Sequence, residues 1–551
     1  MGPNAVWNVR QTTANPNSRL YSLAVDTGSK IDLRDSTPNF STLTIETLSG
    51  TGSTFFVDTD IQADKSDQIS IGTGSGTHKV HVQPTGVEPS REAMDTFIVQ
   101  EKTGDAAFSL ANTGGRVEAG VYFYDLATRA NTAVATTTEW YLKRAPIPTP
   151  PTEPVEPADP VPDPTPPTPE KPVKPAPDPD PVPPTPPTDP VEPTPPAPVE
   201  PAPVEPAPHP APTPPAEPLH PTEPEPTPPT PMHPSPLPDR TEPLTPTAET
   251  VLGLSGMAAS YSMWYGQLSD LRERLGEIRY GNGKDGFWTR GFIQKHRLNG
   301  LGGIDFSQNM YGGSLGYDHL YESGADNKWL LGFRAQMTRA DQTVRGHYSG
   351  TGDNDSYGFA GYATWQNTDD WYADGVITWD WYDQDLKTKM LDGTPVKGTY
   401  KNYGAGLSFE TGKMIRFDNN SFIEPQVQLS YYWLKGNSFT MSNGMETKQH
   451  HAESLTARAG VVVGKKWTYE DGHFIQPYIK AGVNHEFLGD QKAVVNGTSF
   501  TGALSGTRVY YGAGVDWKVS DSVRLYGEFE REEGHHLSQP WSVSAGLRYE
   551  F

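Results

Sequence analysis

The chain has 551 residues, no cysteine and a formal net charge of −23. Without cysteine it carries no disulfide, thiolate metal site or thiol nucleophile, a composition compatible with export into an oxidising space. No run of about 18 apolar residues occurs, which excludes a membrane-spanning helix and leaves a closed barrel as the way across a bilayer.

Residues 1–144 are polar, rich in Thr, Gly, Ser and Asp, and carry short β-prone runs. Runs around Leu23, Leu43, Ile69 and Phe97 recur every twenty-odd residues, within the range of solenoids. Gly50-Thr-Gly52 and Gly72-Thr-Gly-Ser-Gly76 separate them as turns. This spacing predicts the end of a parallel β-helix; a small β-sandwich is the competing reading. Trp7 already stands near the start, leaving no room for the cap that a solenoid needs. The opening residues also lack the basic and apolar regions of a secretory leader, so a truncated N-terminus is expected.

Residues 145–247 hold about 46 of the 55 prolines and about 16 Asp and Glu against 3 Lys and Arg. Proline fixes φ and donates no backbone hydrogen bond, so polyproline II is the available conformation. A disordered Pro-rich linker is expected, serving as a stalk or as an inert spacer. More than half of the net charge sits here, so the acidity describes the linker and not a substrate. No basic stripe appears anywhere, and nucleic acid is not an expected partner.

Residues 248–283 read as one helix. Leu254, Met257, Ala258, Tyr261, Trp264, Tyr265, Leu268, Leu271, Leu275 and Ile278 follow a three-four spacing, and Gly281 and Gly283 end it. Such a stripe ordinarily marks a core helix; its place directly before a barrel predicts a helix inside the lumen.

Residues 284–551 read as twelve strands, beginning near Phe287, Phe306, Lys328, Ser356, Trp371, Gly398, Phe422, Ala452, His473, Leu504, Ser522 and Pro540. Short turns, such as Asn367-Thr-Asp-Asp370 and Ser520-Asp-Ser522, alternate with longer polar loops near 298–305, 345–354, 386–397, 437–451, 488–503 and 532–539. That asymmetry is the one between the inner and outer rims of outer-membrane barrels. Trp371, Trp379, Trp381, Tyr431 and Trp433 crowd strand ends as interfacial girdles would. In the last strand Val543, Ala545, Leu547, Tyr549 and Phe551 share one face, and Ser542, Ser544, Gly546, Arg548 and Glu550 the other. The fold class expected is all-β: a twelve-stranded antiparallel transmembrane barrel with a lumen helix, preceded by the linker and a partial right-handed parallel β-helix.

Trp264-Tyr265 with Arg274-Leu-Gly-Glu-Ile-Arg279, Trp288-Thr-Arg-Gly-Phe292, Asp305-Phe-Ser-Gln308, Gly316-Tyr-Asp-His319, Gln476-Pro-Tyr-Ile-Lys-Ala481 and the stretch from Pro540 to Phe551 resemble the linker helix and β-domain of classical (type Va) autotransporters. The N-terminal region is similar to the end of a pertactin-type passenger. The resemblance implies an outer-membrane translocator in a Gram-negative cell that exports its own passenger, C-terminal part first, and anchors it at the surface. It implies outer-membrane lipid, the barrel assembly machinery and periplasmic chaperones as partners, with a host surface or other bacteria facing an adhesin passenger. Trp264, Tyr265, Leu268, Arg272 and Arg274 would belong to the lumen helix, and Tyr549 and Phe551 to the signal read during barrel assembly. Many members are cut in the lumen at an Asn-Asn pair by cyclisation of the first Asn. Here Ser269-Asp270 stands at that place, and serine has no amide nitrogen to cyclise, so an uncleaved junction is expected.

No catalytic residue, cofactor or metal is assigned, and the chain is not expected to be an enzyme. Gly253-Leu-Ser-Gly-Met257 lacks the last glycine of a nucleophile elbow. His450-His451 and His535-His536 point apart along extended chain and make poor metal sites. Asp380, Asp383 and Asp385 are read as rim or lumen charges, and Asn419-Asn420 lies in a turn on the inner rim. An enzymatic passenger whose catalytic part lies outside this chain, a plain porin and a nonfunctional gene fragment are the alternatives.

Overall fold

A computed structural model describes residues 1–9, 16–35, 39–85, 95–131, 137–144, 244–279, 285–323 and 326–551, with side chains of the helical segment described as far as residue 269. The expected linker, apart from residues 244–247, lies outside the described residues.

The N-terminal region is built from two parallel ladders. One joins Val6–Asn8, Lys30–Asp32, Thr54–Asp60, Thr77–Pro84 and Ala107–Leu110. The other joins Asn17–Val25, Thr42–Gly50, Gln68–Gly74 and Thr96–Gly104. Each turn of chain gives a strand to both, so like residues stack. Leu43, Ile69 and Val99 form one inward column and Ile31, Phe55 and Val80 another, all fully buried. Parallel pairing between successive repeats is the β-helix arrangement and sets aside the β-sandwich. The last rung is closed by antiparallel pairing: Thr137–Arg144 lies against Thr96–Gly104, and Tyr122–Asn131 against Thr137–Arg144. The first ladder ends on Asn112, whose side chain receives the Val82 N–H at 3.0 Å and donates to the Val82 carbonyl at 2.8 Å. Both devices satisfy backbone groups that an open edge would expose.

Two helices follow, α1 (Pro246–Leu254) and α2 (Met257–Arg279). Thr245 caps α1, its hydroxyl accepting from the Ala248 N–H at 3.3 Å, and Pro246 occupies the first turn, where its missing donor costs nothing. The single helix read from the sequence is thus two, broken where Ser255 takes an extended conformation.

The barrel strands are β1 (Gly286–Asn299), β2 (Asp305–Ser323), β3 (Asn327–Val344), β4 (Thr351–Asn367), β5 (Trp371–Lys389), β6 (Pro395–Lys413), β7 (Ser421–Leu434), β8 (Ala452–Lys465), β9 (Phe474–Glu486), β10 (Gly506–Lys518), β11 (Val523–Gly534) and β12 (Leu537–Glu550). Each pairs antiparallel with the next, and β12 returns to β1, with Phe287 opposite Tyr549. The sheet is closed.

Its two faces invert the soluble pattern. Leu331, Phe333, Phe359, Ile377, Leu407, Phe409, Ile479 and Val543 stand exposed on the outside, while Gln308, Arg334, Asp380, Arg508 and Arg548 are buried within. Water would penalise that arrangement and lipid requires it. Trp371 and Trp381 are ten residues apart on β5, about 25 Å of height for a tilted strand, the thickness of a barrel's apolar band. At the upper level Trp381 lies between Tyr357 and Tyr403 in register.

Three loops differ from expectation. Residues 437–451 and 488–503 are not irregular: Ser438–Thr440, Glu446–Gln449, Asp490–Val495 and Thr498–Ala503 form a four-stranded antiparallel sheet across the outer mouth. Residues 532–539 are not a long loop. They are strand on both sides of His535-His536, where β11 turns into β12.

Candidate functional site: the plugged barrel lumen

α1 and the described part of α2 lie inside the cylinder. The apolar positions expected for the lumen helix, Leu254, Met257, Ala258, Tyr261, Trp264, Tyr265 and Leu268, are buried, but so are Ser260, Ser262 and Gln267. The helix is therefore covered on all sides, because the barrel interior offers polar partners as well as apolar ones.

Trp264 anchors one side. Its ring stacks on Tyr432 with centroids 4.7 Å apart, and its Nε1–H donates to Thr378 Oγ1 at 2.8 Å. A Cβ at Gly406 would lie 2.4 Å from that same Nε1, so the wall must be bare there. Tyr261 donates to Glu486 at 2.9 Å, and the Tyr265 hydroxyl receives Asn484 Nδ2–H at 2.8 Å. Gln267 donates to Thr338 at 3.0 Å, and its backbone carbonyl accepts from Arg334 at 3.0 Å. Polar contacts thus hold the plug from β3, β5, β8 and β9.

The lumen wall is electrically asymmetric. Arg458 pairs with Glu530 at 2.8 Å and Arg508 with Glu532 at 3.1 Å. Arg524 lies 3.3 Å from Glu550, Lys480 joins Glu528 and Glu530, and Arg548 joins Asp318. Most of these ions sit on β8 to β12. The facing strands present mainly neutral polar groups, among them Gln342, Asn354, Ser356 and Thr378. Burying so many charges is tolerable only because each lies beside an opposite one. Alternation in the strands showed which residues face inward, but the sequence held no sign of which strands would meet to pair them.

At the outer mouth α1 is tied to loop and passenger alike. Glu249 accepts the N–H groups of His347 at 3.2 Å and Tyr348 at 2.8 Å. The Thr245 N–H donates to the Val121 carbonyl at 2.9 Å, and Leu244 bridges Tyr122. The last β-helix rung rests on the loops: Phe123 meets Tyr348 with centroids 5.9 Å apart, and Glu118 accepts the Leu391 N–H at 2.9 Å. Burial at this junction pushes the Glu118 carboxyl up to about 7, against the pull of that hydrogen bond and with help from nearby Asp392.

Of the other expected positions, Ser269 is buried at the end of the described side chains, while the side chains of Asp270, Arg272 and Arg274 lie outside the described residues. Tyr549 and Phe551 are exposed on the lipid face near the inner rim, where Phe551 also meets Phe287. Asp380 is a lumen residue, whereas Asp383 and Asp385 face outward. Gly253-Leu-Ser-Gly-Met257 spans the break between the helices. Among the described residues no group of three or more His, Asp or Glu is placed to hold a metal, and no helix is long and apolar enough to cross a membrane.

Comparison with known proteins gives the same picture. Residues 287–530 match the autotransporter β-domain family and residues 20–144 the pertactin family. The chain is 31% identical to the pertactin autotransporter of Bordetella bronchiseptica over 99% of its own length and 52% of that protein. It is 32% identical to the autotransporter adhesin/invasin TibA of Escherichia coli O78:H11 over 99% of itself and 50% of that protein. The crystal structure of the β-domain of the Bordetella autotransporter BrkA is similar over 49% of this chain and 100% of that one, at 27% identity and a TM-score of 0.42. The chain spans about half the length of the curated relatives it matches. Its barrel is a Gram-negative outer-membrane domain embedded in lipid, with the β-helix end on the cell surface. On these matches, and on a closed barrel threaded by a buried helix, residues 287–530 are an autotransporter β-domain and residues 20–144 a pertactin-type region.

Proposed function

We propose that this chain is an outer-membrane translocator that exports and anchors its own passenger, and that the passenger is an adhesin. The observation that carries the reading is the buried helix joined to the β-helix end at its outer mouth. A chain segment running through a closed cylinder to a folded domain outside is what remains after that domain has passed through or beside the barrel. Folding of the β-helix on the far side supplies the bias outward, since each added rung buries apolar columns that cannot return unfolded without losing them. The adhesin reading follows the similarity to the autotransporter adhesin/invasin TibA. A passenger with enzymatic activity finds no support in the relatives named above.

Tyr549 and Phe551 serve as the element read by the barrel assembly machinery, and periplasmic chaperones hold the unfolded barrel before insertion. The junction at Ser269-Asp270 stays intact, because the side chain at the first position has no nitrogen nucleophile.

Expression of the chain behind an export leader in a Gram-negative host tests the reading. The expected result is an N-terminal epitope at the cell surface, removable by external protease, and a single full-length band before protease is added. An epitope retained in the periplasm beside a folded barrel would overturn export, and separate passenger and barrel bands cut at 269/270 would overturn the intact junction.

A further inference from the structure

The lipid-facing wall is not uniformly bulky. Across β12, β1, β2, β3 and β4 it bears a depression of about 1190 Å³. Its lining runs over 289–293, 311–315, 335–339, 355–359 and 543–545. Every one of these segments begins and ends on an outward-facing residue, and none of the described side chains of α1 or α2 contributes, so the depression opens to the lipid and not to the lumen.

Its floor is made by Gly291, Gly313 and Ala545, adjacent in register on three strands, and by Ala335 on β3. The fold does not require Gly291 to lack a side chain: a Cβ there meets only the Gly312 carbonyl oxygen at 3.7 Å, an ordinary contact, and its φ is not left-handed. Glycine inside a strand weakens the strand and often marks a close approach by a ligand or another backbone. At the upper end, two residues beyond Met337 towards the outer rim, Arg339 stands exposed, 3.7 Å from Asp355 and 3.8 Å from both Asp341 and Asp353.

We propose that this depression holds one lipid of the outer leaflet, its acyl chains lying over Gly313, Gly291 and Ala545 and its phosphate-bearing head at Arg339. Continuity with the apolar belt decides the occupant. In a bilayer the volume cannot stand empty or fill with water, and hydrocarbon is what surrounds it. The slope of the groove fixes the leaflet: it descends from the outer girdle, at Tyr357, to the middle of the wall at Ala545. A chain lying in it gains contact on three sides where an ordinary boundary lipid gains one. The guanidinium supplies the donors for phosphate, and the flanking carboxylates accept from hydroxyl or amine groups of the head. The proposal rests on the outer-membrane reading of the barrel, and its test leaves export aside.

Native mass spectrometry of the full chain, extracted from outer membranes into a mild detergent, reads the retained lipid directly. Wild type is expected to keep one lipid per chain under activation that strips the rest. Filling the floor with Gly313→Leu and Ala335→Leu together should lower retention at least fivefold, and Arg339→Ala should lower it while leaving the groove open. Ala459→Leu, on the lipid face of β8, should change nothing. Heat-modifiable migration on gels confirms that each variant is folded. Equal retention by wild type and the filled variant would overturn the proposal. So would a species of twice the chain mass that disappears on filling, which would give the groove to a second copy.

Discussion

Glu118 shows how one side chain can report on the junction between passenger and barrel. Its carboxyl is raised from 4.5 to about 7 by burial. Between those values the docked state keeps a proton that the unfolded chain has lost, so stability falls as pH climbs through that window and levels off above it. Protection of the Leu391 N–H from hydrogen exchange should therefore be greater at pH 5 than at pH 8, and Glu118→Gln should flatten the difference. Equal protection at both pH values in the native chain would show that the carboxyl is not buried. Trp264 is the corresponding residue within the lumen. Trp264→Ala removes the stack on Tyr432 and the bond to Thr378, and should cost about 3–5 kcal/mol. Denaturant unfolding of the barrel in micelles, followed by gel mobility, measures it; an unchanged midpoint would place the ring outside the plug's packing. Neither role was legible in the sequence. Trp264 stood in a periodic stripe, but its partners lie more than a hundred positions away, and Glu118 was one acid among many.

At the scale of elements, the strands were legible where they cross the apolar belt and less so beyond it. Eight of the twelve begin within one residue of expectation, among them Trp371 and Ala452. β4 begins at Thr351 instead of Ser356, β6 at Pro395 instead of Gly398, and β12 at Leu537 instead of Pro540. The missed residues, such as Asp353, Asp355 and Ser538, belong to strand segments outside the lipid. There both faces are polar, and the period of two disappears from the sequence even though the hydrogen-bonded ladder continues. The four-stranded sheet over the mouth escaped for a related reason. Val495, Phe500 and Ala493 are buried, but each strand is only three to six residues long, too short to show a pattern. That sheet also holds the plug: Gln491 accepts the Ala258 N–H at 3.3 Å, just past the break between α1 and α2. Gln491→Ala should loosen the start of α2, which hydrogen exchange at Ala258 would read as faster exchange; unchanged protection there would show that the sheet merely covers the mouth.

For the whole molecule, the telling feature is the strand at Tyr122. Tyr124 pairs with Arg144, the last described residue before the proline-rich tract, while Tyr122 bridges Leu244, the first described residue after it. The chain leaves and returns at one place, on a rung already touching the barrel loops. Both ends of the tract are thus fixed on the same rung, so it is this docking, and not the number of residues between 144 and 244, that sets the height of the passenger above the cell. Shortening the tract by half should leave protection of the Thr245 and Leu391 N–H groups unchanged, whereas loss of both would make it a spacer after all. Evolution would be free to lengthen or trim the sequence between those two ends without moving what the bacterium displays.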